Sequence, residues 1–333
     1  MTDKTDKLQG SFSIGTIGSH SALNILSGAR KEGFQTTLIT TPRRQEFYSS
    51  FEIADRTVLV DRFDEIVKRQ EDLDDVILVP HGSFVAYVDL KLLKTAGLKI
   101  YGDVEVLEWE ADRQRKNLLL GKTGTKIPKE FKDISSVDRP VIVKTDGAGG
   151  GRGYFFASNR AELEEKLESV NNPIFIQEYI FGTKIFVHYF HSAVRNRLEI
   201  SSADIRYETD IDSKIRHPGN DSPAFQVVGN IPIALRESTL FEYYEIGKAF
   251  VEATRKLLPR PISGPFCLET IIDRDLNIYC FEFSGRIVAG TTPFIPYSPY
   301  SYVMFGKKMW TGRRIALEIR EALENDQLDQ LLA

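Results

Sequence analysis

Apolar and polar positions alternate along residues 1–110 in a way that predicts short buried strands separated by helices. Apolar runs of strand length stand at 11–17, 34–39, 57–60 and 75–79. Stretches with helical spacing follow the first, third and fourth of these runs. Strands that alternate with helices are typical of a parallel sheet with helices on its faces, so we predict an α/β domain.

Small polar clusters stand at the carboxyl ends of two of these strands. The first is Gly18-Ser19-His20-Ser21 and the second is Pro80-His81-Gly82-Ser83. Parallel sheets bind ligands at such strand ends, and the clusters offer N–H groups, hydroxyls and imidazoles to a polar or phosphorylated small molecule. The alternative is that each serine only caps the helix that follows it.

The pattern changes after residue 103. Residues 103–125 are charged and helical, and Trp109 and Leu118, Leu119 and Leu120 are expected to dock this segment on a neighbour. The segment 121–128, with two glycines and a proline, is interpreted as a linker. Beyond it we predict strands at 174–180, 184–190, 197–200, 264–272 and 277–283, and helices at 237–258 and 312–324. These elements predict an α+β body.

A glycine-rich segment lies between two further apolar strands, 141–143 and 154–156. Five of the seven residues 147–153 are glycines, and Lys144 and Arg152 bring positive charge to the same place. Such a backbone can curl and direct its N–H groups inward, as a polyphosphate site requires. This segment joins strand to strand, whereas a dinucleotide-binding fold and a P-loop run from strand to helix. A flexible hairpin tip with a solvated arginine is the alternative.

Two glutamates, Glu269 and Glu282, interrupt apolar strand sequences in the second half of the chain. A turn at 273–277 joins the two strands, so their pairing would bring the carboxylates side by side. A divalent cation compensates such a pair of charges well. Ser284 and Arg286 follow and add an oxygen ligand and a guanidinium, which would hold a transferring phosphoryl group. The alternative is two glutamates on a solvated hairpin face.

Composition narrows the class of protein. The chain has 333 residues, of which 42% are hydrophobic and 27% are charged, so it is long enough for two or three folded domains. Its net charge of −4, without a basic run interleaved with aromatics, gives no reason to expect nucleic acid as a partner. Apolar stretches of membrane-spanning length are absent and the N-terminus is polar, so we expect a cytoplasmic protein without membrane contact.

Several further groups are expected to be structural. Cys267 and Cys280 are the only cysteines, which excludes a disulfide framework and favours two small buried hydrophobes. His188 and His191 stand three apart in a predicted strand, so they should face opposite sides and not share a metal ion. The pair Arg313-Arg314 opens the last helix and is expected on a solvated helix face, with contact to an anion as the alternative.

Together these motifs resemble those of the ATP-grasp enzymes. The shared features are a glycine loop between strands with a lysine before it, an Ile-Gln-Glu-Tyr strand at 176–179, and two glutamates on paired strands that end in Glu-x-Ser-x-Arg. Over residues 12–322 the chain is similar to one archaeal family of this superfamily, PurP, the formate-dependent 5-formaminoimidazole-4-carboxamide ribonucleotide synthetases. The similarity is carried by the segments 18–23, 80–84, 150–155, 176–179, 206–208, 229–238, 285–287, 298–301 and 312–316.

The resemblance implies a fold in two parts. The first is an N-terminal Rossmann-like domain of the pre-ATP-grasp type, with a parallel sheet, over residues 1–112. The second is an ATP-grasp domain over residues 113–333. Within it, residues 113–182 would form a small lid subdomain with the glycine-rich loop, and residues 183–333 a larger subdomain with the metal site.

The resemblance also implies a reaction and a set of contacts. Such enzymes use ATP to join formate to the 5-amino group of AICAR (5-aminoimidazole-4-carboxamide ribonucleotide), by way of formyl phosphate, in purine biosynthesis. Family contacts with AICAR fall on His20, Ser83 and Asn230, and ligands of Mg²⁺ or Mn²⁺ on Glu269 and Glu282. Arg286 would support the γ-phosphoryl group. ATP contacts would fall on Lys144, Gly150, Gly151, Arg152, Gly153, Gln177, Glu178, Tyr179, Ile180 and Glu208. The family also implies a homo-oligomer.

Four positions depart from the family pattern and bear on the substrate. Gly149 and Val104 stand where the family usually has a basic residue, Thr292 replaces an asparagine, and Tyr297 replaces a small residue. Loss of two cations is consistent with weaker phosphate binding, or with a ligase that joins another small carboxylate to another amine. A nucleotide-binding regulator without turnover is a further alternative, although such a protein would not need the glutamate pair.

Overall fold

The computed structural model describes residues 12–145, 154–168, 170, 173–208, 227–289 and 298–333. Its strands are β1 (Ser13–Ile17), β2 (Gln35–Thr40), β3 (Arg56–Leu59), β4 (Val76–Leu78), β5 (Lys99–Ile100), β6 (Glu130–Phe131), β7 (Val141–Thr145), β8 (Tyr154–Ala157), β9 (Ile174–Glu178), β10 (Gly182–Ser192), β11 (Arg197–Glu208), β12 (Val227–Ile233), β13 (Gly264–Asp273) and β14 (Ile278–Ser284). Its α-helices are α1 (Ala22–Lys31), α2 (Pro42–Ser49), α3 (Gly82–Tyr87), α4 (Leu90–Thr95), α5 (Val104–Ala111), α6 (Arg113–Gly121), α7 (Arg160–Leu167), α8 (Glu237–Leu257), α9 (Pro299–Phe305) and α10 (Thr311–Glu324).

The N-terminal strands form a parallel sheet with the order β3-β2-β1-β4-β5. The central strand β1 is buried along its whole length, as expected for a strand covered on both faces. The predicted α/β domain is therefore confirmed. After β3 the predicted helix is a 3₁₀ helix, Phe63–Lys68. Sequence patterns missed α2, whose residues are mostly exposed, and β5, which has two residues.

The C-terminal half contains an antiparallel sheet with the order β12-β11-β10-β13-β14. The long helix α8 covers one face and packs its Phe250 in a stack with Phe266 and Tyr189. Gly247 allows this close approach, because a Cβ at that position would lie 2.5 Å from a ring carbon of Tyr189. The predicted strands and both predicted helices of this half are confirmed, while β12, α7 and α9 were not foreseen.

A third, smaller sheet has the order β6-β9-β7-β8. Its β7 and β8 are antiparallel neighbours, with Val141 opposite Ala157 and Lys144 opposite Tyr154. This confirms that the glycine-rich segment connects two strands. Residues 146–153 themselves lie outside the described residues.

Between the first and second sheets, the predicted helix over 103–125 is two helices that break at Asp112. The side chain of Asp112 accepts a hydrogen bond from the N–H of Arg115 and so begins α6 with its own N-cap. Trp109, Leu119 and Leu120 are buried, as predicted. Leu118 is exposed, contrary to prediction, because the side that docks on the protein is occupied by its two leucine neighbours.

The C-terminal helix α10 packs closely on α1. A Cβ on Gly28 would lie 2.2 Å from the backbone N of Arg313, and a Cβ on Gly312 would lie 2.2 Å from the carbonyl oxygen of Asn24. The prediction of a solvated face for Arg313-Arg314 is wrong, because this contact buries both arginines. Their guanidiniums pair with buried carboxylates of the protein.

The prediction for the two cysteines is confirmed. Both cysteines are free and buried. His188 and His191 are both buried and have separate partners, since His188 Nε2 contacts Asp204 Oδ2 at 2.6 Å and His191 Nδ1 contacts the carbonyl oxygen of Ile262 at 2.5 Å. In the ranges that the structure covers, none of the helices has the length and hydropathy needed to cross a bilayer.

Candidate active site

A cavity of about 630 Å³ lies where the three sheets meet. The small sheet forms one wall, β10, β11, β13 and β14 form another, and the end of β1 and helix α5 close the far side. Its polar lining consists of His20, Glu110, Lys144, Tyr154, Gln177, Glu178, Tyr179, Lys184, Arg206, Glu269, Glu282, Ser284 and Arg286. Most of the predicted site residues that the structure describes therefore share one cavity.

The two glutamates of the predicted metal site face each other in this cavity. Glu269 on β13 is the direct partner of Glu282 on β14, which confirms the predicted pairing. The register then shifts, since Thr270 pairs with Cys280, and the irregularity leaves Phe281 as an extra residue. Consecutive strand residues normally face opposite sides, but this bulge lets Phe281 and Glu282 both line the cavity.

Electrostatics at the glutamate pair indicate a place for a cation. Burial, and then the charge of Glu282, raise the pKa of Glu269 to about 7. Burial opposes ionisation of Glu282 as well, but Lys116, Lys144 and Arg286 outweigh it and hold its pKa below the usual value. One of the two carboxylates thus carries a firm negative charge, and the other is poised to release its proton when positive charge arrives.

Lysines approach the pair from two directions. Lys116 on α6 contacts Glu282 with its Nζ 2.5 Å from Oε1. Lys144 on β7 donates to Gln177 Oε1 at 3.3 Å and lies beside the rings of Tyr154 and Phe175. Burial lowers the pKa of Lys144, which makes the ammonium group ready for an anionic partner.

Arg286 is held in place by a buried carboxylate. Its Nη2 donates to Glu110 Oε1 at 2.7 Å, and the N–H of Gly285 donates to Oε2 of the same residue at 2.9 Å. Glu110 lies on α5, so this helix fixes the direction of the guanidinium. The Nε of Arg286 is buried and has no hydrogen-bond partner within the described part of the chain.

The strand end at 177–180 forms the rim of the cavity on the side of the small sheet. Gln177 and Ile180 are buried, and Gln177 through Ile180 all line the cavity. Glu178 accepts hydrogen bonds from the backbone N of Lys129 and from Arg139, and Tyr179 packs edge-on against Phe156. This segment is therefore anchored from outside while its inner side faces the cavity.

His20 projects into the cavity from the end of β1. It adopts a positive φ of 47°, its Nδ1 contacts Ser21 Oγ at 2.7 Å, and its ring stacks on His81 with centroids 5.3 Å apart. Partial desolvation of the ring at the cavity wall, followed by the charges of Arg286, His81 and Arg206, lowers the pKa of His20 although the residue keeps exposed surface, so the imidazole is neutral at pH 7. The expectation of simple serine capping fails here, because the side chain of Ser21 makes no cap hydrogen bond.

His81 supports His20 from behind. It is completely buried, its Nε2 lies 3.0 Å from the carbonyl oxygen of Ile17, and its Nδ1 accepts from the N–H of Ser83 at 3.2 Å. His81, and not Ser83, therefore caps α3. Ser83 itself is buried and does not line the cavity, so among the described contacts its link to the site runs through His81 and His20.

Asn230 also lies behind the cavity wall. It is opposite Arg206 across β11 and β12. With its amide turned so that the oxygen faces the guanidinium, the orientation that satisfies both groups, that oxygen accepts from Arg206 Nε and Nη1, both at 3.2 Å. Arg206 lines the cavity and lies over the ring of Phe186 at 4.3 Å from the centroid. In this structure Asn230 therefore orients the arginine that faces the cavity.

Several predicted positions fall outside the described residues. These are Gly150, Gly151, Arg152 and Gly153, the side chain of Glu208, and the departures at Gly149, Thr292 and Tyr297. Val104, the remaining departure, begins α5, is 1% exposed and belongs to the core of the first domain. Among the residues that the structure describes, Val104 thus does not contribute to the cavity lining.

Sequence patterns missed four charged residues of this site: Glu110, Lys116, Lys184 and Arg206. Glu110 and Lys116 belong to a segment rich in charge, where nothing in the spacing marks one side chain as buried. Arg206 stood in a segment that carried the family resemblance, but no role was assigned to it.

The residues present fit a divalent cation. Carboxylate oxygens are the ligands that Mg²⁺ prefers, and it commonly takes one or two of them together with phosphate oxygens. Across the described ranges there is no cluster of three or more His, Cys, Asp or Glu side chains with metal-binding geometry. Two facing carboxylates suit an ion that also takes phosphate oxygens as ligands.

Comparison with known proteins places the chain in a family. Residues 14–131 match a family model described as a protein of unknown function (DUF1246), and residues 160–333 match one described as a domain of unknown function (DUF1297). The chain is 44% identical over 334 residues to 5-formaminoimidazole-4-carboxamide-1-β-D-ribofuranosyl 5′-monophosphate synthetase of Ignicoccus hospitalis, and the match covers 96% of each chain.

Solved structures agree with this match. The IMP biosynthesis protein PurP of Thermococcus kodakaraensis superposes with a TM-score of 0.80 and 32% identity, covering 96% of this chain and 100% of that one. Biotin carboxylase of Campylobacter jejuni superposes with a TM-score of 0.65 at 14% identity, covering 93% of this chain and 71% of that one, which is a likeness of fold alone. The fold is an ATP-grasp fold preceded by a parallel-sheet domain, as the resemblance implied. The chain belongs to the family of PurP, the 5-formaminoimidazole-4-carboxamide ribonucleotide synthetases.

Proposed function

We propose that the chain is an ATP- and formate-dependent ligase that formylates the 5-amino group of AICAR and releases ADP and phosphate. The observation that carries this proposal is the in-register pair Glu269 and Glu282, which faces Lys144 and Arg286 in one cavity. The surrounding chain is 44% identical over its length to synthetases with this product in their name.

The chemistry requires two group transfers in an enclosed space. Formate is a poor electrophile because its leaving group would be oxide, so a formate oxygen first attacks the γ-phosphorus of ATP and ADP leaves. The amine nitrogen then attacks the formyl carbon of formyl phosphate, and phosphate leaves as the nitrogen loses a proton. An aminoimidazole nitrogen is a weak nucleophile, so enclosure and exclusion of water contribute much of the rate.

Lys144 and the strand end at 177–180 are proposed to bind ATP. The partly desolvated ammonium of Lys144 would lie along the phosphates, and the backbone of 178–180 would meet the adenine. We also retain the glycine-rich segment, with Gly150, Gly151, Arg152 and Gly153, and Glu208 as ATP contacts. A polyphosphate that enters between the small sheet and the glutamate pair would contact Lys144 and the glycine-rich segment on one wall, and the cation at the glutamate pair on the other.

Glu269 and Glu282 are proposed to hold Mg²⁺, or Mn²⁺. When bound, the ion would neutralise charge on the terminal phosphates of ATP while the phosphoryl group is transferred. Arg286, aimed by Glu110, would support the phosphoryl group as it moves. A Cβ on Gly82 would lie 2.9 Å from His20 Nε2 and 3.4 Å from Arg286 Nη2, so both side chains border the space next to Gly82. We propose that the amine meets the formyl group there.

His20 is proposed to contact AICAR directly, with Ser83 and Asn230 as the other family positions. A neutral imidazole can both donate and accept a hydrogen bond, which suits a carboxamide or an amine. Because Ser83 and Asn230 lie behind His20 and Arg206 in this structure, we propose that they act on the substrate mainly by orienting those two residues.

A single assay tests the proposal. ADP release is measured with ATP, Mg²⁺, formate and AICAR, and each component is then omitted in turn. We expect release to require all four, with formation of the formylated nucleotide in equal amount. Release that is independent of AICAR would indicate a ligase for another amine, and a protein that binds ATP without releasing ADP would be a nucleotide-binding regulator.

Two aspects of organisation are proposed with the function. We propose that residues 1–112 form the N-terminal domain, and that 113–182 and 183–333 form the lid and larger subdomain of the ATP-grasp domain.

We also propose that the protein assembles as a homo-oligomer. Light scattering of the purified protein tests this, and a monomeric mass at micromolar concentration would refute it.

A further inference from the structure

One lysine reaches the glutamate pair from outside the cavity. Lys116 lies on α6, in the chain between β5 and β6, and its Nζ contacts Glu282 Oε1 at 2.5 Å. The lysine side chain is only 16% exposed, and it does not belong to the described lining of the cavity, whereas Glu282 does. Lys116 therefore approaches this carboxylate from the side of the helix and leaves the cavity side of the carboxylate open to a ligand.

The packing of α6 fixes the position of Lys116. The backbone N of Lys116 donates to the carbonyl oxygen of Asp112 at 2.9 Å, in the first turn of the helix. Arg113 stands three residues earlier on the same face, and its guanidinium lies 4.7 Å from the ring centroid of Phe175 in the small sheet. Leu119 is buried in the core of the larger sheet. The helix is thus held on two sides, and its lysine is directed at the glutamate pair.

Two arginines near the glutamate pair are already neutralised by carboxylates of the protein. Arg286 pairs with Glu110, with 2.7 Å between Nη2 and Oε1, and Arg206 Nε lies 3.5 Å from Asp204 Oδ1. All four of these side chains are largely buried. Because the opposite charges of each ion pair lie close together, each pair contributes little net charge to the site.

Two lysines remain to balance the two glutamates. Lys116 contacts Glu282 directly, and Lys144 lies on the small sheet with a neutral partner, Gln177, at 3.3 Å. When both glutamates are ionised, they and these lysines carry equal and opposite charge among the described residues. A divalent cation that bound alone would add two positive charges to this balanced and partly desolvated group, which is unfavourable. A cation that brings a polyphosphate also brings negative charge, which the lysines attract.

We infer that Lys116 makes the glutamate pair selective for a metal–nucleotide complex over a divalent cation alone. The inference rests on the proposed function and adds a selectivity to its metal site. Lys116 repels a free cation, because its own charge is separated from the binding position only by the carboxylate of Glu282. The same charge favours a complex that carries phosphate groups. Binding of the metal is thereby coupled to binding of the nucleotide.

The test compares Mn²⁺ alone with the Mn²⁺–ADP complex, in the parent and in the variant Lys116→Met. This substitution removes the charge and keeps much of the length of the side chain. Electron paramagnetic resonance counts free Mn²⁺ ions, and calorimetry measures binding of the complex. We expect Lys116→Met to bind Mn²⁺ alone about 10-fold more tightly than the parent, and to bind Mn²⁺–ADP about 3- to 10-fold more weakly, because one positive charge is lost beside the site.

Lys122→Met is the matched control. It removes an equal charge at the C-terminal end of the same helix, where Lys122 is exposed and does not line the cavity. We expect both of its dissociation constants to equal those of the parent. Lys116→Arg keeps the charge and should keep the weak binding of Mn²⁺ alone, which a purely structural role of the lysine would not require. If thermal unfolding shows that Lys116→Met does not fold, Lys116→Gln, which retains a hydrogen-bond donor, takes its place.

The outcome also distinguishes this inference from the proposed function, because neither binding measurement uses formate or AICAR. Unchanged or weaker binding of Mn²⁺ alone in Lys116→Met, relative to Lys122→Met, would overturn the inference while an active parent upholds the function. If the parent shows no AICAR-dependent ADP release but the two affinities change as expected, the proposed substrate is wrong and the selectivity stands. A parent that binds no Mn²⁺–ADP would refute both the metal site and its selectivity.

Discussion

Charged side chains gather in two places in this molecule, and the two clusters are built on opposite principles. The cavity cluster comprises Glu110, Lys116, Lys144, Glu269, Glu282 and Arg286. The anchor cluster, which ties α10 to the rest of the protein, comprises Glu32, Glu199, Arg313, Arg314 and Glu318. Both are largely removed from bulk water, yet only the first looks like a site of chemistry.

In the anchor cluster each carboxylate has an arginine partner. Arg314 is 2% exposed, and it donates to Glu199 at 2.8 Å and to Glu318 at 2.8 Å. Arg313 pairs with Glu32 at 2.5 Å. Ser192 donates to both carboxylate oxygens of Glu318. Each carboxylate is thus compensated by a cation of the protein, although Arg314 Nη1 is buried without a hydrogen-bond partner among the described residues. The cluster therefore fixes the position of the helix.

In the cavity cluster two carboxyl groups stand side by side, although Lys116 pairs with Glu282 and Arg286 pairs with Glu110. Glu269 is the direct strand partner of Glu282, and burial together with that neighbour raises its pKa to about 7. Such an arrangement costs stability in the free protein and is relieved by a cation. The ion pairs of the anchor cluster therefore indicate a structural role, and the two facing carboxyl groups of the cavity cluster indicate a binding site for a cation.

The largest expected effect is on catalysis at the glutamate pair. Glu282→Gln removes a proposed metal ligand but relieves the repulsion, so we expect ADP formation to fall at least about 1,000-fold while the protein stays folded. Steady-state ADP release and circular dichroism measure the two effects. The control Glu245→Gln changes an exposed glutamate of α8, and turnover of Glu282→Gln within tenfold of that control would remove the metal assignment.

The next effect is on stability in the anchor cluster. Arg314→Ala leaves Glu199 and Glu318 without their main partner in a buried setting, so we expect the free energy of unfolding to fall by about 3 kcal/mol. Urea unfolding measures this loss, and kcat of the folded variant should change little. Arg320→Ala, whose side chain is 28% exposed, is the milder control. Equal stability of the two variants would break the distinction between the clusters.

A smaller effect is expected from the residue that aims Arg286. Glu110→Gln replaces a carboxylate that accepts from Arg286 and from the N–H of Gly285 with an amide that can accept through only one atom. We expect kcat to fall about 30-fold, with a smaller change in the KM for ATP, because the guanidinium is oriented less well. Glu108→Gln on the same helix is the control. A loss in KM with kcat intact would show that Glu110 has no positioning role.

The smallest effect is a pH dependence of stability in the absence of metal and nucleotide. Because the folded protein raises the pKa of Glu269 from its usual 4.5 to about 7, the stability contributed by its protonated form is complete below pH 4.5 and is lost as the pH rises through 7. The free energy of unfolding of the parent should therefore fall relative to that of Glu269→Gln between pH 5 and pH 8. Urea titrations at several pH values measure this difference, and a difference independent of pH would contradict it.

Much of the fold was predictable because its signals are local. Apolar runs at 11–17 and 75–79 identified two strands of the parallel sheet, and the apolar sequences around Glu269 and Glu282 identified a hairpin whose turn brings the two residues together. Short or exposed elements, such as β5 and α2, carry too few buried positions to produce a pattern.

The candidate site was only partly predictable. Lys144, Glu282, His20 and Arg286 stand in motifs that point to phosphate or metal chemistry, and they share a cavity. Glu110 stands in none, and its place depends on which helix packs beside which strand end. Arg314 shows the converse error, since a helix start with two arginines has the composition of a solvated surface and yet is buried.

The sequence by itself determined the strands, the hairpin that pairs the two glutamates and the family of the chain, because each depends on residues near one another or on motifs of fixed spacing. Only the tertiary structure decided which charges meet. Glu199 and Arg314 come from distant parts of the chain and pair in the core, whereas Glu269 and Glu282 face each other in a cavity. Whether a buried charge has a partner depends on packing over long separations, and no local pattern of residues records it.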